Sequence, residues 1–304
     1  MKSPNSLPTI LFLATAVLCR AEPPVAIASG AVSTEDGNNL EATYESAKSL
    51  LKPGAGESEL RKGFALMQEA AAKDHLAAIA GLAYLYSAGL GVAKDPAEAA
   101  KWLNKAATKG HAISQYNLGK LLIADEIPLV PEATDRDAQH AQGVEWLRKA
   151  ADQGQNEARA TYGIILMRGD SGAKPDPTAA SRYLILAAEA GNAEAMNTLG
   201  TMYQVGNGIG YDLAAAERSF RQAAMLGHVK AQANLGEHLL NPTAPDPARR
   251  TEALAWLYLA EQAKDPVAMK ILQNIGTTLS PRDEAAARAK ADSLRKEIVR
   301  STRK

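Results

Sequence analysis

The chain is poor in cysteine and in aromatic residues, and it carries no excess charge. Of its 304 residues one is cysteine, three are phenylalanine and three are tryptophan. One cysteine cannot form an intrachain disulfide, and so few large rings cannot fill a sizeable aromatic core. Lysine and arginine together equal aspartate and glutamate in number. Because basic residues are not in excess, the composition does not indicate nucleic-acid binding, and we expect no nucleic-acid partner. We also expect a fold held together by small aliphatic side chains.

Motifs typical of catalytic and metal sites are missing from the sequence. It contains neither the His-Glu-x-x-His pattern of zinc hydrolases nor the Gly-x-Ser-x-Gly turn of serine hydrolases. The acidic segment with Glu132, Asp135 and Asp137 lacks the oxygen spacing and the glycine of an EF-hand calcium loop, so we interpret it as a solvated loop. The sequence therefore predicts no catalytic residue, no metal, no cofactor and no enzymatic activity.

The N-terminus is typical of an export signal. Lys2 precedes an apolar stretch, Leu7 to Cys19, that is too short to remain as a membrane span. We predict a signal peptide at 1–21, a flexible linker at 22–38, and export to a bacterial periplasm or to the medium. Two alternatives stay open, namely an apolar N-terminus that is not cleaved and lipid attachment at Cys19.

Alanine and an internal repeat are what the chain has in abundance. Alanine favours helices because its side chain loses no entropy when a helix forms. An Ala-Ala pair recurs roughly every 36 residues, which is the period of a helical repeat protein. The pairs are Ala70-Ala71, Ala106-Ala107, Ala150-Ala151, Ala187-Ala188 and Ala223-Ala224. The period predicts about six tandem units.

Each unit is predicted to contain two helices. In the first, a small residue is followed by large ones four and eight positions later, as in Ala195, Leu199 and Tyr203, and this spacing marks one helical face. A glycine such as Gly200 costs about 1 kcal/mol inside a helix, so we infer that the neighbouring helix passes too close for a side chain. The second helix is predicted to begin at pairs such as Asp95-Pro96, because aspartate caps a helix and proline fits its first position.

Glycines and histidines mark the ends of the first helix. Gly89 and Gly91 suit the left-handed backbone that ends many helices. His75, His111 and His228 occupy one repeat position, directly before the first helix. Equivalent positions lie a whole repeat apart, which is too far for shared zinc ligands at about 2 Å. We therefore interpret these histidines as polar cap residues.

The units resemble the Sel1-like repeat family, a relative of the tetratricopeptide repeat. The best-matching unit reads Ala-Met-Asn-Thr-Leu-Gly-Thr-Met-Tyr from Ala195 to Tyr203, and continues with Gly206-Asn207-Gly208-Ile209. The resemblance covers 39–275 and implies an all-α, right-handed superhelix of helix pairs whose stacking supplies the core. Residues 276–304 are predicted to form a C-terminal capping helix and a basic tail. The buried stripe of that helix is predicted at Ala287, Ala291, Leu294 and Ile298.

The resemblance implies an adaptor that holds a protein or peptide on a concave surface lined by the first helices. The predicted contact residues are Tyr84, Ser87, Tyr116, Lys120, Asn197, Thr201, Gln204 and Glu237. We prefer Tyr84, Tyr116 and Lys120, since exposed tyrosines are enriched among residues that dominate binding. The alternative is that both tyrosines pack between repeats.

Other functions stay open as alternatives. Some secreted relatives are reported to bind or hydrolyse β-lactams, but they carry a cysteine pair in each repeat and this chain does not. An envelope hydrolase of the β-lactamase or peptidoglycan-acting kind is therefore the second hypothesis, and a self-associating envelope component the third. The basic segment from Arg282 to Lys304 is either the solvated face of the capping helix or a contact to an anionic membrane or wall polymer.

Overall fold

A computed structural model of the chain describes residues 34–126, 135–240, 246–276 and 279–301. These residues form fourteen α-helices and no strand, which confirms the all-α prediction. The helices are α1 (Thr34–Leu50), α2 (Glu57–Ala72), α3 (Leu76–Ala88), α4 (Pro96–Thr108), α5 (Ala112–Ile123), α6 (Arg136–Asp152), α7 (Asn156–Arg168), α8 (Pro177–Glu189), α9 (Ala193–Val205), α10 (Leu213–Met225), α11 (Val229–Leu239), α12 (Pro247–Gln262), α13 (Pro266–Gly276) and α14 (Pro281–Ser301). Within the described segments, no helix is both long enough and apolar enough to cross a bilayer.

Several predictions concern residues outside those ranges. The signal peptide, Cys19 and Glu132 lie outside the described residues, and so does most of the linker predicted at 22–38. Helix α1 begins at Thr34, before the start of the repeats that we predicted at Asn39.

Aspartate caps begin the second helices, as predicted. The Asp95 carboxylate accepts the backbone N–H groups of Ala97 and Glu98 at 3.0 and 3.1 Å. These bonds satisfy donors that a helix N-terminus otherwise leaves unpaired. Equivalent caps are formed by Asp176, Asp212 and Asp246.

Histidine caps begin three of the first helices. Nδ1 of His75, His111 and His228 accepts the backbone N–H three residues further on, at 3.1, 3.2 and 3.2 Å respectively. Gln155 and Asn192 cap their helices from the same repeat position. The interpretation of these histidines as cap residues is confirmed. Left-handed glycines end three first helices, at Gly89, Gly169 and Gly206.

The described chain divides into two compact units, one reaching to Ala150 and one beginning at Ala151, and each is described by itself. In the first unit α1 pairs with α2 and α3 pairs with α4. Helix α3 also packs on α2, and α5 packs on α4, so each first helix contacts the second helix of the preceding pair. Small and medium side chains fill the core, among them Ala71, Ile79 and Leu82, which are fully buried. Packing between neighbouring pairs therefore supplies the core of this unit, as expected for stacked repeats.

In the second unit the pairs are α7–α8, α9–α10 and α11–α12. Helix α9 also packs on α8, and α11 packs on α10. The largest buried side chains here are Phe220 and Trp256. A Cβ added to Gly200 would lie 2.5 Å from the Phe220 ring, and one added to Gly236 would lie 2.9 Å from the carbonyl oxygen of Ala253. These distances confirm that glycine recurs in the first helices because the second helix passes too close for a side chain.

The C-terminal helices close the second unit. Helix α13 packs on α12 and α11 in the manner of one more first helix, a role that the sequence analysis did not recognise. Helix α14 packs mainly on α12 and also contacts α10. Ala287, Ala291 and Leu294 are buried and Ile298 is partly buried, so the predicted stripe and the capping helix are confirmed.

Candidate binding surfaces

The predicted contact residues of the first unit lie on α3 and α5. Tyr84 is half-buried and packs against the core cluster of this unit, and the Ser87 hydroxyl donates a hydrogen bond to the Tyr84 carbonyl oxygen at 2.8 Å. The Tyr116 side chain is only 7% exposed. Lys120 is exposed, with its Nζ 5.4 Å from the centroid of the Tyr116 ring. Packing, the alternative that we left open, therefore describes Tyr116, which is too buried to be the exposed contact we preferred. Lys120 is the member of this pair that a partner can reach.

The predicted contact residues of the second unit lie on α9 and α11. The Asn234 Nδ2 donates a hydrogen bond to Asn197 Oδ1 at 2.8 Å, and this bond links two consecutive first helices. Thr201 and Glu237 are exposed about one helical turn further along, and Gln204 is half-buried. The structure thus brings Asn197 together with Asn234, which the sequence analysis did not name. We define these two residues as the amide pair.

The amide pair retains unused hydrogen-bonding capacity. Each asparagine amide has two N–H donors and an oxygen with two lone pairs, whereas the bond between the two side chains uses one donor and one lone pair. Both residues are only partly buried. A peptide backbone offers the matching alternation of N–H and C=O groups. The pair is therefore suited to binding extended peptide.

A cleft of about 530 Å³ lies in the second unit, and its lining residues come mainly from α10, α12 and α14. Two glutamates and two arginines form ion pairs in it, and Asp246 also lines it. Arg221 lies 3.0 Å from Glu217 and also donates a hydrogen bond to Glu252, while Arg249 lies 2.8 Å from Glu217. Lys290 lines the same cleft. The cleft therefore holds a connected network of ion pairs.

The ion pairs favour the ionised form of both glutamates of the cleft. Burial opposes the charged form of Glu217, but hydrogen bonds from Arg221 and Arg249 outweigh it and hold the pKa of this carboxyl below its ordinary value. Burial likewise opposes ionisation of Glu252, yet the hydrogen bond and charge of Arg221 lower its pKa. A general acid needs a raised pKa, so this arrangement fits charge pairing rather than proton transfer.

This network was not among the sequence-based predictions, although the sequence carries a signal for it. Glu217 and Arg249 are 32 positions apart, and Arg221 and Glu252 are 31 apart. Both separations are close to one repeat, so these residues occupy nearby positions on consecutive second helices. Opposite charges at such separations would have indicated the pairing.

No group of three or more histidine, cysteine, aspartate or glutamate side chains within the described ranges is placed to hold a metal ion. In the acidic segment, Asp135 accepts the backbone N–H of Ala138 at 2.9 Å and so caps the start of α6. That contact gives Asp135 a structural role in the loop that we interpreted as solvated.

Comparisons with known proteins identify the repeat. The Sel1 repeat model matches residues 41–75, 76–111, 112–155, 157–192, 193–228 and 229–265. The crystal structure of a Sel1 repeat protein from Oxalobacter formigenes is 28% identical, with a TM-score of 0.55, over 86% of this chain and 99% of that one.

Two curated proteins are also similar over part of their length. An uncharacterized protein of Neisseria meningitidis serogroup B is 38% identical over 104 residues, which are 34% of this chain and 21% of that protein. The chitin synthase regulator SKT5 of Saccharomyces cerevisiae is 26% identical over 236 residues, which are 74% of this chain and 33% of that protein. The chain thus spans about a fifth and about a third of the length of these two relatives.

Proposed function

Because the chain belongs to the Sel1 repeat family, whose members generally mediate protein interactions, we propose that it is an exported, non-catalytic adaptor that binds a protein or peptide through its first helices. The observation that carries the proposal is the amide pair, in which Asn234 donates to Asn197 at 2.8 Å across two consecutive first helices. Two polar side chains held side by side on neighbouring helices, with hydrogen-bonding capacity left over, suit a peptide backbone. Thr201 and Glu237 extend this polar surface.

A pair of variants tests binding on this surface. Mature chain bound to beads is used to capture proteins from a bacterial envelope extract, and the captured proteins are quantified by mass spectrometry. Replacing both Asn197 and Asn234 by alanine removes four amide donors without disturbing a buried core residue. The amount of each specifically captured protein is therefore expected to fall several-fold. Asn104→Ala, on the exposed side of the second helix α4, is the control and should leave the amount of captured protein unchanged. Equal capture by the unchanged chain, the double variant and the control contradicts binding at this surface.

The hydrolase alternative has no support among the described residues or the related proteins. The converging carboxylates of the second unit, Glu217 and Glu252, are bound by guanidinium groups. We expect the purified chain to turn over neither nitrocefin nor isolated peptidoglycan. Release of coloured product or of soluble wall fragments, at a rate that scales with protein concentration, contradicts the adaptor proposal.

Export is tested by expressing the full chain in a bacterial host and sequencing the N-terminus of the purified protein. Cleavage of the predicted signal gives a protein that begins at Glu22. An unprocessed chain in the cytoplasm contradicts export. A product that begins at Cys19 and carries the mass of attached lipid identifies the lipoprotein alternative instead.

A further inference from the structure

The second unit carries a shallow apolar groove beside the charged cleft. The groove has a volume of about 460 Å³ and is lined by Met196, Arg218, Arg221, Gln222, Met225 and Leu226. We call it the methionine groove. Arg221 also lines the charged cleft, so the two depressions adjoin. Most of the lining belongs to the second helix α10 and its C-terminal end, and the amide pair takes no part in it.

Leu226 is the apolar side chain of this groove that the repeat does not require, whereas Met196 and Met225 also pack on the core of the second unit. Met225 and Leu226 occupy the last helical position and the C-cap of a second helix. The equivalent residues of other repeats are Thr108-Lys109, Glu189-Ala190 and Gln262-Ala263. Leu226 is nevertheless 44% exposed. Three other second helices thus end without a large apolar side chain here, so the stacking of repeats does not require Leu226.

Both charged residues that line the groove, Arg218 and Arg221, are basic. In the ion-pair network the guanidinium side chains of Arg221 and Arg249 are 38% and 35% exposed, whereas the carboxylate side chains of Glu217 and Glu252 are 24% and 26% exposed. The positive partner of each pair therefore faces solvent more than the negative one. Two acidic residues lie nearby, Asp246, which caps α12, and Asp212, which caps α10. The cleft is thus lined by three acidic and three basic residues, whereas the charged residues of the groove are basic alone.

Two further basic residues extend this charge to both ends of the surface. Arg218 lines the groove and is exposed, at 3.9 Å from Asp212. Lys290 lines the cleft and is exposed, and its charge contributes to the lowered pKa of Glu252. We call Arg218, Arg249 and Lys290 the basic rim.

We propose that the methionine groove and the basic rim bind an acidic peptide segment in which an apolar side chain lies between aspartates or glutamates. The apolar side chain enters the groove against Met196, Met225 and Leu226, where flexible thioethers adapt to its shape. The flanking carboxylates face the rim, which attracts and orients the segment. Most of this surface lies on the second helices α10 and α12, with Met196 contributed by the first helix α9 and Lys290 by α14. The proposal uses neither residue of the amide pair.

The probe is a fluorescein-labelled peptide of about twelve residues, with a central Leu-Phe pair between runs of glutamate, and its binding is followed by fluorescence anisotropy. One control peptide has lysine in place of glutamate, and a second has Ala-Ala in place of Leu-Phe. The full chain is expected to bind only the first peptide, more weakly as salt rises, because exposed charges are screened. Absence of saturable binding by the first peptide overturns the proposal, and so does equal binding of all three.

Matched variants locate the binding. Leu226→Gln places on the C-cap the residue type that Gln153 supplies in another repeat. Leu186→Gln changes a leucine of similar exposure, 43% against 44%, that lies outside the groove. We expect Leu226→Gln and the double change Arg218→Glu with Lys290→Glu each to raise the Kd roughly ten-fold. Leu186→Gln is expected to leave the Kd unchanged, and thermal melting checks that every variant is folded.

Other outcomes overturn the proposal in distinguishable ways. Loss of peptide binding only when Asn197 and Asn234 are replaced by alanine would place the peptide on the first helices, which supports the adaptor surface and refutes the groove. Equal losses for Leu226→Gln and Leu186→Gln would show nonspecific adhesion. If the chain binds anionic phospholipid vesicles through the basic rim but does not bind the peptide, the surface serves a membrane.

Discussion

Replacing Gly208 by alanine tests whether stacking of neighbouring repeats stabilises the second unit. Gly208 lies in the loop after α9 and has a left-handed backbone, with φ of +71°. A Cβ added there would lie 2.2 Å from the carbonyl oxygen of Pro177, at the start of α8 in the preceding repeat. The clash is between the added Cβ and a backbone oxygen, so no side-chain rotation can relieve it, and the loop itself must move.

Two costs add for this substitution. A Cβ in the left-handed region costs about 1–2 kcal/mol, and overpacking a close contact typically costs about 1–3 kcal/mol. We therefore expect Gly208→Ala to lower the free energy of unfolding by about 2–5 kcal/mol. In the first unit Gly91 makes the same kind of contact, since its Cβ would lie 2.2 Å from the Leu60 carbonyl oxygen.

Gly172 provides the matched control. It is also left-handed, with φ of +80°, but a Cβ added there meets nothing within 4 Å. Gly172→Ala should therefore cost only the backbone term of about 1–2 kcal/mol. Urea unfolding followed by far-ultraviolet circular dichroism measures both variants against the unchanged chain. Equal destabilisation by the two substitutions would refute the reasoning, because the contact with Pro177 would then contribute nothing.

Three further predictions concern caps and the core. Burial lowers the pKa of His111 and of His228; the unfolded chain then binds more protons, so stability should be constant above about pH 6.5 and fall as the pH drops below it. Urea titrations at several pH values measure the free energy of unfolding. The double variant His111→Asn with His228→Asn keeps a cap of the kind that Asn192 provides, so its stability should depend less on pH. An equally steep fall of stability in that variant contradicts a role for the two histidines. Asp212→Ala removes the acceptor of two backbone N–H groups and should cost about 1 kcal/mol in urea unfolding, whereas an unchanged midpoint would mean that water replaces the cap. Trp256→Ala empties a fully buried site and should cost about 3–5 kcal/mol, seen as a lower thermal midpoint, and a loss below 1 kcal/mol would indicate that the second unit is loosely packed.

The local signals of the repeat were reliable predictors. Asp95 and Asp176 begin helices, and Gly89 and Gly206 end them, at the positions that the sequence indicated. Each signal acts between residues at most a few positions apart, through a cap hydrogen bond or a backbone angle, so the rest of the chain has little influence on it. The recurrence of the signals at a fixed period predicted the family and the all-α fold, and both predictions are confirmed.

Prediction of the binding residues was weaker, and Tyr116 shows why. Its repeat position is held by Ala80 and Asn197 in other units, and a spacing rule assigns all three to one exposed surface. The structure buries Tyr116 to 7% exposure but leaves Asn197 partly exposed and bonded to Asn234. Small rotations of a helix about its axis, together with the size of the side chain, decide whether such a position faces solvent.

The sequence alone determined where helices start and stop, how often the unit recurs, and which face of each helix is apolar, because these properties depend on neighbours within about two helical turns. Tertiary structure decided which side chains meet across repeats. The amide pair and the ion pairs of Glu217 with Arg249 and of Arg221 with Glu252 arise where helices from different repeats pack. The methionine groove arises where the two helices of one repeat meet. Their distances follow from the separation and rotation of those helices, which the pattern along one helix does not specify.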